Sequence, residues 1–258
     1  MTKTTKTKTH TLNKQKQTPT NQQHKLHLRD YFYRRKKLLN TSAIILANEN
    51  PKRFPQDKGT TLLNNKTIIQ HVFDAINPIV DEVIIVTNTQ ERAEEYAKFL
   101  PKTTKFTIDT QQTPNLLSGT ITGFETAQGQ YALLIPYDAP LINRELAKFL
   151  LDLSIGKMAA VPRTPDNEIE PLCAAYQTKA VLEIAKQTTT PQEETTTDLL
   201  YELVEKLRGV RYISMSVIKQ IDPDLHSFFS INTPLDLKRA TVMLQGKQKQ
   251  HLIKHKKR

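Results

Sequence analysis

The chain is 258 residues long, 38% hydrophobic and 24% charged, with one cysteine and a formal net charge of +11 at pH 7. That length supports one full α/β domain with a sizeable core, and a lone Cys173 excludes an intrachain disulfide and fits a reducing cytoplasm. No stretch approaches the roughly 18 apolar residues of a membrane span, and the opening Met1-Thr2-Lys3-Thr4-Thr5-Lys6 lacks the apolar segment of a signal peptide, so a cytoplasmic location is expected.

The positive charge is unevenly spread. Residues 1–40 carry eleven Lys or Arg against the single acid Asp30, and 245–258 carry six with no acid, which leaves 20 basic and 25 acidic residues in 41–244. The body is therefore acidic by a formal charge of about −5, and the basicity belongs to two tails. Residues 1–24, almost wholly Thr, Lys, Gln, Asn and His, are expected to be disordered, while 25–39 adds Tyr31, Phe32 and Tyr33 and suits a short basic helix. A solvated tail or an upstream start to translation is the expectation, with contact to RNA or anionic lipid as the alternative; nucleic acid contact is not expected, and the tails are the one place open to it.

Strand and helix signals then alternate. Short β-branched runs at 43–46, 82–86, 104–108, 131–135 and 157–161 read as buried strands of a parallel sheet. Between them, 67–76 sets Ile68, Ile69, Val72, Phe73 and Ile76 on one helical stripe, and 89–99, 116–127 and 143–153 repeat the pattern. Regular βα alternation with short links implies a three-layer αβα sandwich with a mainly parallel, Rossmann-like sheet, in which ligands bind at the C-terminal ends of the strands. Beyond residue 162 the pattern is looser: a strand within 170–176, helices at 179–186 and 197–207, a strand at 210–213, and a mobile Thr-rich loop at 188–195. A last core helix is expected over 234–244, opened by Asn232-Thr233-Pro234.

The first strand runs into Leu46-Ala47-Asn48-Glu49-Asn50-Pro51-Lys52-Arg53-Phe54-Pro55-Gln56-Asp57-Lys58, a polar, basic turn before the next helix. Arg53 and Lys58 are candidate phosphate ligands. Asp138 follows the run 131–135, so its carboxylate is expected at the sheet edge where an α/β fold holds metals and phosphates, and Mg²⁺ needs only one or two carboxylates beside phosphate oxygens and water. Capping the next helix is the other role open to Asp138, disfavoured because Pro140 is expected to open that helix itself. The seven histidines have no metal-ligand spacing; His71 reads as a surface or packing residue, Cys173 as a core thiol in an apolar strand, and Glu193 and Glu194 as a solvated pair.

Taken in order, Leu46-Ala47, Arg53-Phe54, Asp57-Lys58, Ile135-Pro136-Tyr137-Asp138-Ala139-Pro140-Leu141, Glu170-Pro171-Leu172 and Asn232-Thr233-Pro234-Leu235-Asp236-Leu237 resemble the molybdenum cofactor guanylyltransferase (MobA-like) branch of the nucleotidyltransferases, over about 43–242. The resemblance implies a nucleotide-diphospho-sugar transferase type of fold. It also implies transfer of GMP from GTP to the molybdenum-molybdopterin cofactor with release of pyrophosphate. By the same resemblance Lys58, Arg53 and Asp138 are catalytic, and Asp138 is the Mg²⁺ ligand. Leu46, Ala47, Asn48, Lys58, Asn88, Asp109 and Asp138 line the nucleotide, and the larger cofactor lies near Glu170-Pro171-Leu172 and Asn232, with the Thr-rich loop as a lid. Transient contact with molybdoenzymes or cofactor-insertion proteins follows from that role.

Against the family's Leu-Ala-Gly-Gly, Asn48 and Glu49 replace both glycines, and Pro55 replaces another. Asn115 and Leu116 stand where the family has Gly-Pro before Leu117-Ser118-Gly119. Asn is tolerable at such a place because it visits the left-handed region, whereas Glu49 sets a carboxylate where a triphosphate would lie, and Pro55 removes a donor. Two alternatives follow: a cytidylyl- or other nucleotidyltransferase of the same fold, or a non-catalytic nucleotide- or cofactor-binding domain.

Overall fold

The computed structural model describes residues 40–48, 57–111, 115–186 and 196–256, all within one compact unit. The basic segment 1–39, Glu49, Arg53, Pro55 and the Thr-rich loop with Glu193 and Glu194 lie outside the described residues.

Nine strands are described: β1 (Thr41–Ala47), β2 (Leu62–Leu63), β3 (Lys66–Thr67), β4 (Glu82–Thr87), β5 (Lys105–Ile108), β6 (Tyr131–Pro136), β7 (Ala159–Arg163), β8 (Ala174–Gln177) and β9 (Val210–Ser214). The helices are α1 (Ile68–Ile76), α2 (Gln90–Ala97), α3 (Leu116–Thr126), α4 (Arg144–Ser154), α5 (Thr178–Ala185), α6 (Thr196–Lys206), α7 (Met215–Ile218) and α8 (Pro234–Lys256). Seven strands form the main sheet in the order β5-β4-β1-β6-β8-β7-β9. β1 pairs in parallel with β4 and β6, and β4 with β5, while β8 runs antiparallel to both β6 and β7. Six strands therefore share one direction and only β8 opposes them.

β1 lies mid-sheet, and successive residues feed opposite faces. Ala43, Ile45 and Ala47 pack with Ile69, Val72, Phe73 and Ile76 of α1 and Leu146 and Leu150 of α4. Ile44 and Leu46 pack with Leu117 and Phe124 of α3, Val181 of α5 and Leu203 of α6. Burial on both sides explains why β1 reads as an unbroken apolar run, and the two clusters are the interlayers of an αβα sandwich. α1 starts where its sequence says it should: Thr67 caps it, and Thr67 and Gln70 bond each other reciprocally as a capping box.

β8 enters antiparallel between β6 and β7, an order and direction that the sequence reading left open. The structure differs from that reading in three places. Cys173 is buried but precedes β8, with φ +60°. Pro140 does not open a helix; α4 begins at Arg144, capped by Asn143, so Asp138 stands too early in the chain to cap it. The last helix does not stop at residue 244 but continues to Lys256 through the stretch read as a separate tail.

The chain order on either side of β1 fixes where ligands go. β4 and β5 follow on one side and β6 on the other, so the connections reverse between β1 and β6. That is the crevice in which open α/β sheets bind ligands.

Candidate functional site

The segments leaving β1 and β6 meet at this crevice. After β1 the described chain resumes at Asp57, whose carboxylate accepts the backbone N–H of Gly59 (2.8 Å) and Thr60 (3.3 Å), while the Thr60 and Thr61 hydroxyls donate to the Asp57 carbonyl. The first amides of α1 fasten this turn: Ile68 N–H reaches Thr61 O at 3.0 Å and Ile69 N–H reaches Gly59 O at 3.1 Å. Gly59 is obligatory for space, since a Cβ there would come within 2.6 Å of Tyr96 Cζ. So held, the turn points Lys58 inward. Its Nζ donates to Asp138 Oδ2 at 2.6 Å and to Asn232 Oδ1 at 3.2 Å, 5.3 Å from the centre of the Tyr137 ring.

Lys58 and Asp138 are both buried, 6% and 9% exposed, so the pair is well shielded from solvent. Asp138 is fixed from two sides. Tyr137 N–H bonds Leu46 O, which ties the exit of β6 to β1, and Ile231 N–H bonds Asp138 O, which docks the segment carrying Asn232. Asn232 and Thr233 are set in turn by Asp236, whose Oδ2 accepts both their amides and the Thr233 hydroxyl. The Thr233 hydroxyl bond, with the two amides, holds the Asp236 carboxyl below its ordinary range.

Beneath this layer sits a buried arginine. Arg92 Nε lies 2.7 Å from Asp57 Oδ2 and donates to Tyr96 OH at 3.0 Å, and its other nitrogens reach Asn88 Oδ1 and Tyr137 OH at 3.4 and 3.5 Å. Tyr96 OH donates to Asp57 Oδ1 at 2.8 Å. Burial pushes both phenols well above their ordinary value, so they stay protonated. Burial also weakens the guanidinium's hold on its proton, but Tyr96, Asp57 and Tyr137 more than offset this.

The other expected nucleotide residues lie on the far side of β1. Asn48, 1% exposed, donates its amide to Asp109 Oδ2 (2.9 Å) and Asn115 O (2.7 Å), while its Oδ1 is buried with no partner among the described residues. Asn48 does not have positive φ; the loop accepts it because its side chain seats over Gly119, where a Cβ would come within 2.5 Å of Asn48 Cγ. Asp109 is 1% exposed and also receives the Ser118 hydroxyl at 2.6 Å. Asn115 and Ser118 form the capping box of α3, so the replacement of Gly-Pro by Asn115-Leu116 leaves that helix well started. Leu46 and Ala47 are buried within β1, and Asn88 sits at the end of β4 beside Arg92. The structure thus brings Lys58 and Asp138 together, places Asn48 with Asp109, and sets Asn88 next to the arginine cluster.

Two features escaped the sequence reading. Asn232 appears there in a helix-opening motif and near the larger cofactor, but not as a partner of Lys58, which it contacts. Arg92 sits in the charged helix Gln90–Ala97, and only its spacing of four from Tyr96 hinted at an inward face. Farther along the edge, Glu170 is half-buried, and desolvation followed by Glu168 raises its pKa. Burial pushes the neighbouring Cys173 thiol up, reinforced by Glu170, Asp138 and Asp222, so it is inert.

Asp138 and Asn232 already share one cation, the ammonium of Lys58, through two hard oxygen atoms. This donor set fits a small divalent ion that keeps most of its sites for phosphate and water. Among the described residues there is no group of three or more His, Cys, Asp or Glu that could hold a metal.

The model of the MobA-like NTP transferase domain matches residues 43–205, from β1 to the end of α6. The chain belongs to that family. A protein of Natranaerobius thermophilus named probable molybdenum cofactor guanylyltransferase is 31% identical over 215 residues, covering 80% of this chain and 97% of its own. One of the same name from Methanosarcina acetivorans is 28% identical over 212 residues, covering 80% and 92%. Among solved structures, the molybdopterin-guanine dinucleotide biosynthesis protein A of Archaeoglobus fulgidus superposes with a TM-score of 0.65 at 22% identity, covering 80% of this chain and 99% of that one, which shows the shared fold. Lys58, Asp138 and Asn232 of this MobA-like chain come from three separated motifs, and the last lies beyond the matched domain.

Proposed function

We propose that this protein is a nucleotidyltransferase that moves GMP from GTP to the molybdenum-molybdopterin cofactor, forming the guanine dinucleotide cofactor and releasing pyrophosphate. The observation that carries the reading is the meeting of Lys58, Asp138 and Asn232 at the crevice between β1 and β6 in a MobA-like chain.

The chemistry is an in-line attack of the cofactor's terminal phosphate on the α-phosphorus of GTP. The nucleophile is already an anion, so no residue has to remove a proton, and no covalent enzyme intermediate is needed. Asp138, with Asn232 beside it, would hold Mg²⁺. When bound, Mg²⁺ supplies positive charge against the phosphate oxygens. Lys58 leaves Asp138 to meet the triphosphate and stabilises the charge that grows on the departing pyrophosphate. Arg53 is the second cation by resemblance. Asn48, Asp109 and Asn88 flank the nucleotide side, with Leu46 and Ala47 contributing backbone only. Glu170 and Asn232 face the larger cofactor. No helix among the described residues is long and apolar enough to cross a membrane, and we place the reaction in the cytoplasm, with transient contacts to molybdoenzymes or insertion proteins.

Pyrophosphate release from each of the four NTPs, with molybdopterin cofactor and Mg²⁺, tests the reading. GTP is expected to be preferred, and Asp138→Asn to lower turnover by about 10²–10³-fold, the range for losing one electrostatic group at a reacting centre. Preference for CTP would replace the guanylyl assignment; silence with every NTP, alongside intact magnesium-dependent GTP binding, would make the chain a binding domain.

A further inference from the structure

Arg92 is costly where it stands. Its side chain is 8% exposed, and it occupies the first turn of α2, where the helix dipole disfavours a cation. A buried guanidinium at the positive end of a helix has to be held by its partners, and those partners are informative. Asp57, its ion-pair partner, immediately precedes Lys58. Tyr137, reached by its outer nitrogen, immediately precedes Asp138. The Tyr137 ring lies 5.4 Å from the guanidinium carbon and 5.3 Å from the Lys58 ammonium.

We infer that Arg92 is a positioning residue that sets the Lys58 ammonium relative to Asp138. One planar fork spans the two residues that immediately precede Lys58 and Asp138, so the distance between the β1 and β6 segments is fixed by a rigid side chain. Asp57 relays this hold. The same carboxylate that takes Arg92 Nε also takes the Gly59 and Thr60 amides, so the turn bearing Lys58 is anchored on the guanidinium. A lysine at position 92 keeps the charge but cannot present separate donors to Asp57, Tyr96, Asn88 and Tyr137 together.

The catalytic arm of the test rests on the nucleotidyltransferase reading. In Arg92→Lys, kcat is expected to fall by roughly 10²-fold, the scale of a displacement of about 1 Å, with KM for GTP changed far less. Because Arg92 acts through Lys58, Arg92→Lys should add nothing further in a Lys58→Ala background, whereas a merely structural arginine would give additive losses. Additivity overturns the inference. A second arm does not depend on turnover: the Lys58 side-chain NMR signal of protein labelled at lysine, assigned with Lys58→Met, is followed in wild type, Arg92→Lys and Asp57→Asn. Movement of that signal toward free lysine in both variants, at unchanged thermal midpoint, supports positioning. A signal that stays put refutes it even if the protein proves to transfer no nucleotide.

Discussion

Lys58 and Asp138 satisfy each other directly, and this sets a condition on binding. The ammonium occupies the oxygen atoms that a divalent ion would need. A free metal must therefore compete with a tethered cation, whereas a metal arriving with a triphosphate offers Lys58 a new anionic partner. Removing the lysine should reverse this. Lys58→Met leaves a mostly buried carboxylate unpaired, which is expected to destabilise the fold toward the lower end of about 3–5 kcal/mol in metal-free buffer. Addition of Mn²⁺ should restore much of that loss and bind more tightly than to wild type, read by thermal unfolding and by the free Mn²⁺ resonance signal. Equal Mn²⁺ affinity in the two proteins would show that Lys58 does not guard the site. Each partner stood out in the sequence, Asp138 because it follows the apolar run 131–135 and Lys58 through the resemblance of the segment 46–58, but their pairing did not. Nor did Arg92: in Gln90-Glu91-Arg92-Ala93-Glu94-Glu95-Tyr96 it looks like one charge among several on a solvated helix, and only the packing of α2 against the Asp57 turn turns it inward.

At the level of elements, the junction of β1 and α3 shows how a chain without the family's glycines still closes. Asn48 extends from the end of β1 to Asp109, after β5, and to Asn115, before α3, and it rests on Gly119. The side chain at position 48 leaves no room for one at position 119. Gly119→Ala is expected to destabilise by about 1–3 kcal/mol through overpacking. Asn48→Gly should cost stability alone, through the lost bonds to Asp109 and Asn115 O, yet relieve much of the Gly119→Ala penalty. Denaturant unfolding of the four proteins in a double-mutant cycle should give a coupling of at least about 0.5 kcal/mol, and independent effects would sink the account. The alternating elements around this junction were readable because each carries its own period, buried runs for strands and a 3.6-residue stripe for helices. The reversal of β8 was not, since antiparallel insertion is decided by which edge of β6 is free and leaves no mark on the residues 174–177. The extension of α8 past residue 244 was hidden too, because its lysine- and glutamine-rich sequence suits a helix as well as a solvated tail.

Across the whole sheet, the two edges handle charge in opposite ways. At the N-terminal edge, Glu82 accepts bonds from Lys105, Ser42 and the amides of Gln128 and Gly129. Burial alone would raise its pKa, but these bonds outweigh burial and bring it below the ordinary 4.5. At the C-terminal edge, the Glu170 carboxylate has no hydrogen bond or ion pair among the described residues, and desolvation leads the causes that raise its pKa. The linkage signs are opposite. The lowered Glu82 binds its proton more weakly in the folded chain, so its stabilisation is fully present above pH 4.5 and fades as the pH drops through its folded value. Glu170, raised, binds its proton more strongly when folded, so its penalty is absent in acid and grows as the pH climbs from 4.5 through its folded value. Glu82→Gln should therefore lower the thermal midpoint at pH 7 and do so much less at about pH 3.5. Glu170→Gln should raise it at pH 7, with the gain vanishing at about pH 4. A Glu170→Gln protein no more stable than wild type at pH 7 would mean that burial costs the carboxylate nothing. A gain in stability that comes with weaker binding of the pterin-bearing substrate would mark Glu170 as a charge kept at the site's edge for function, at the expense of the fold.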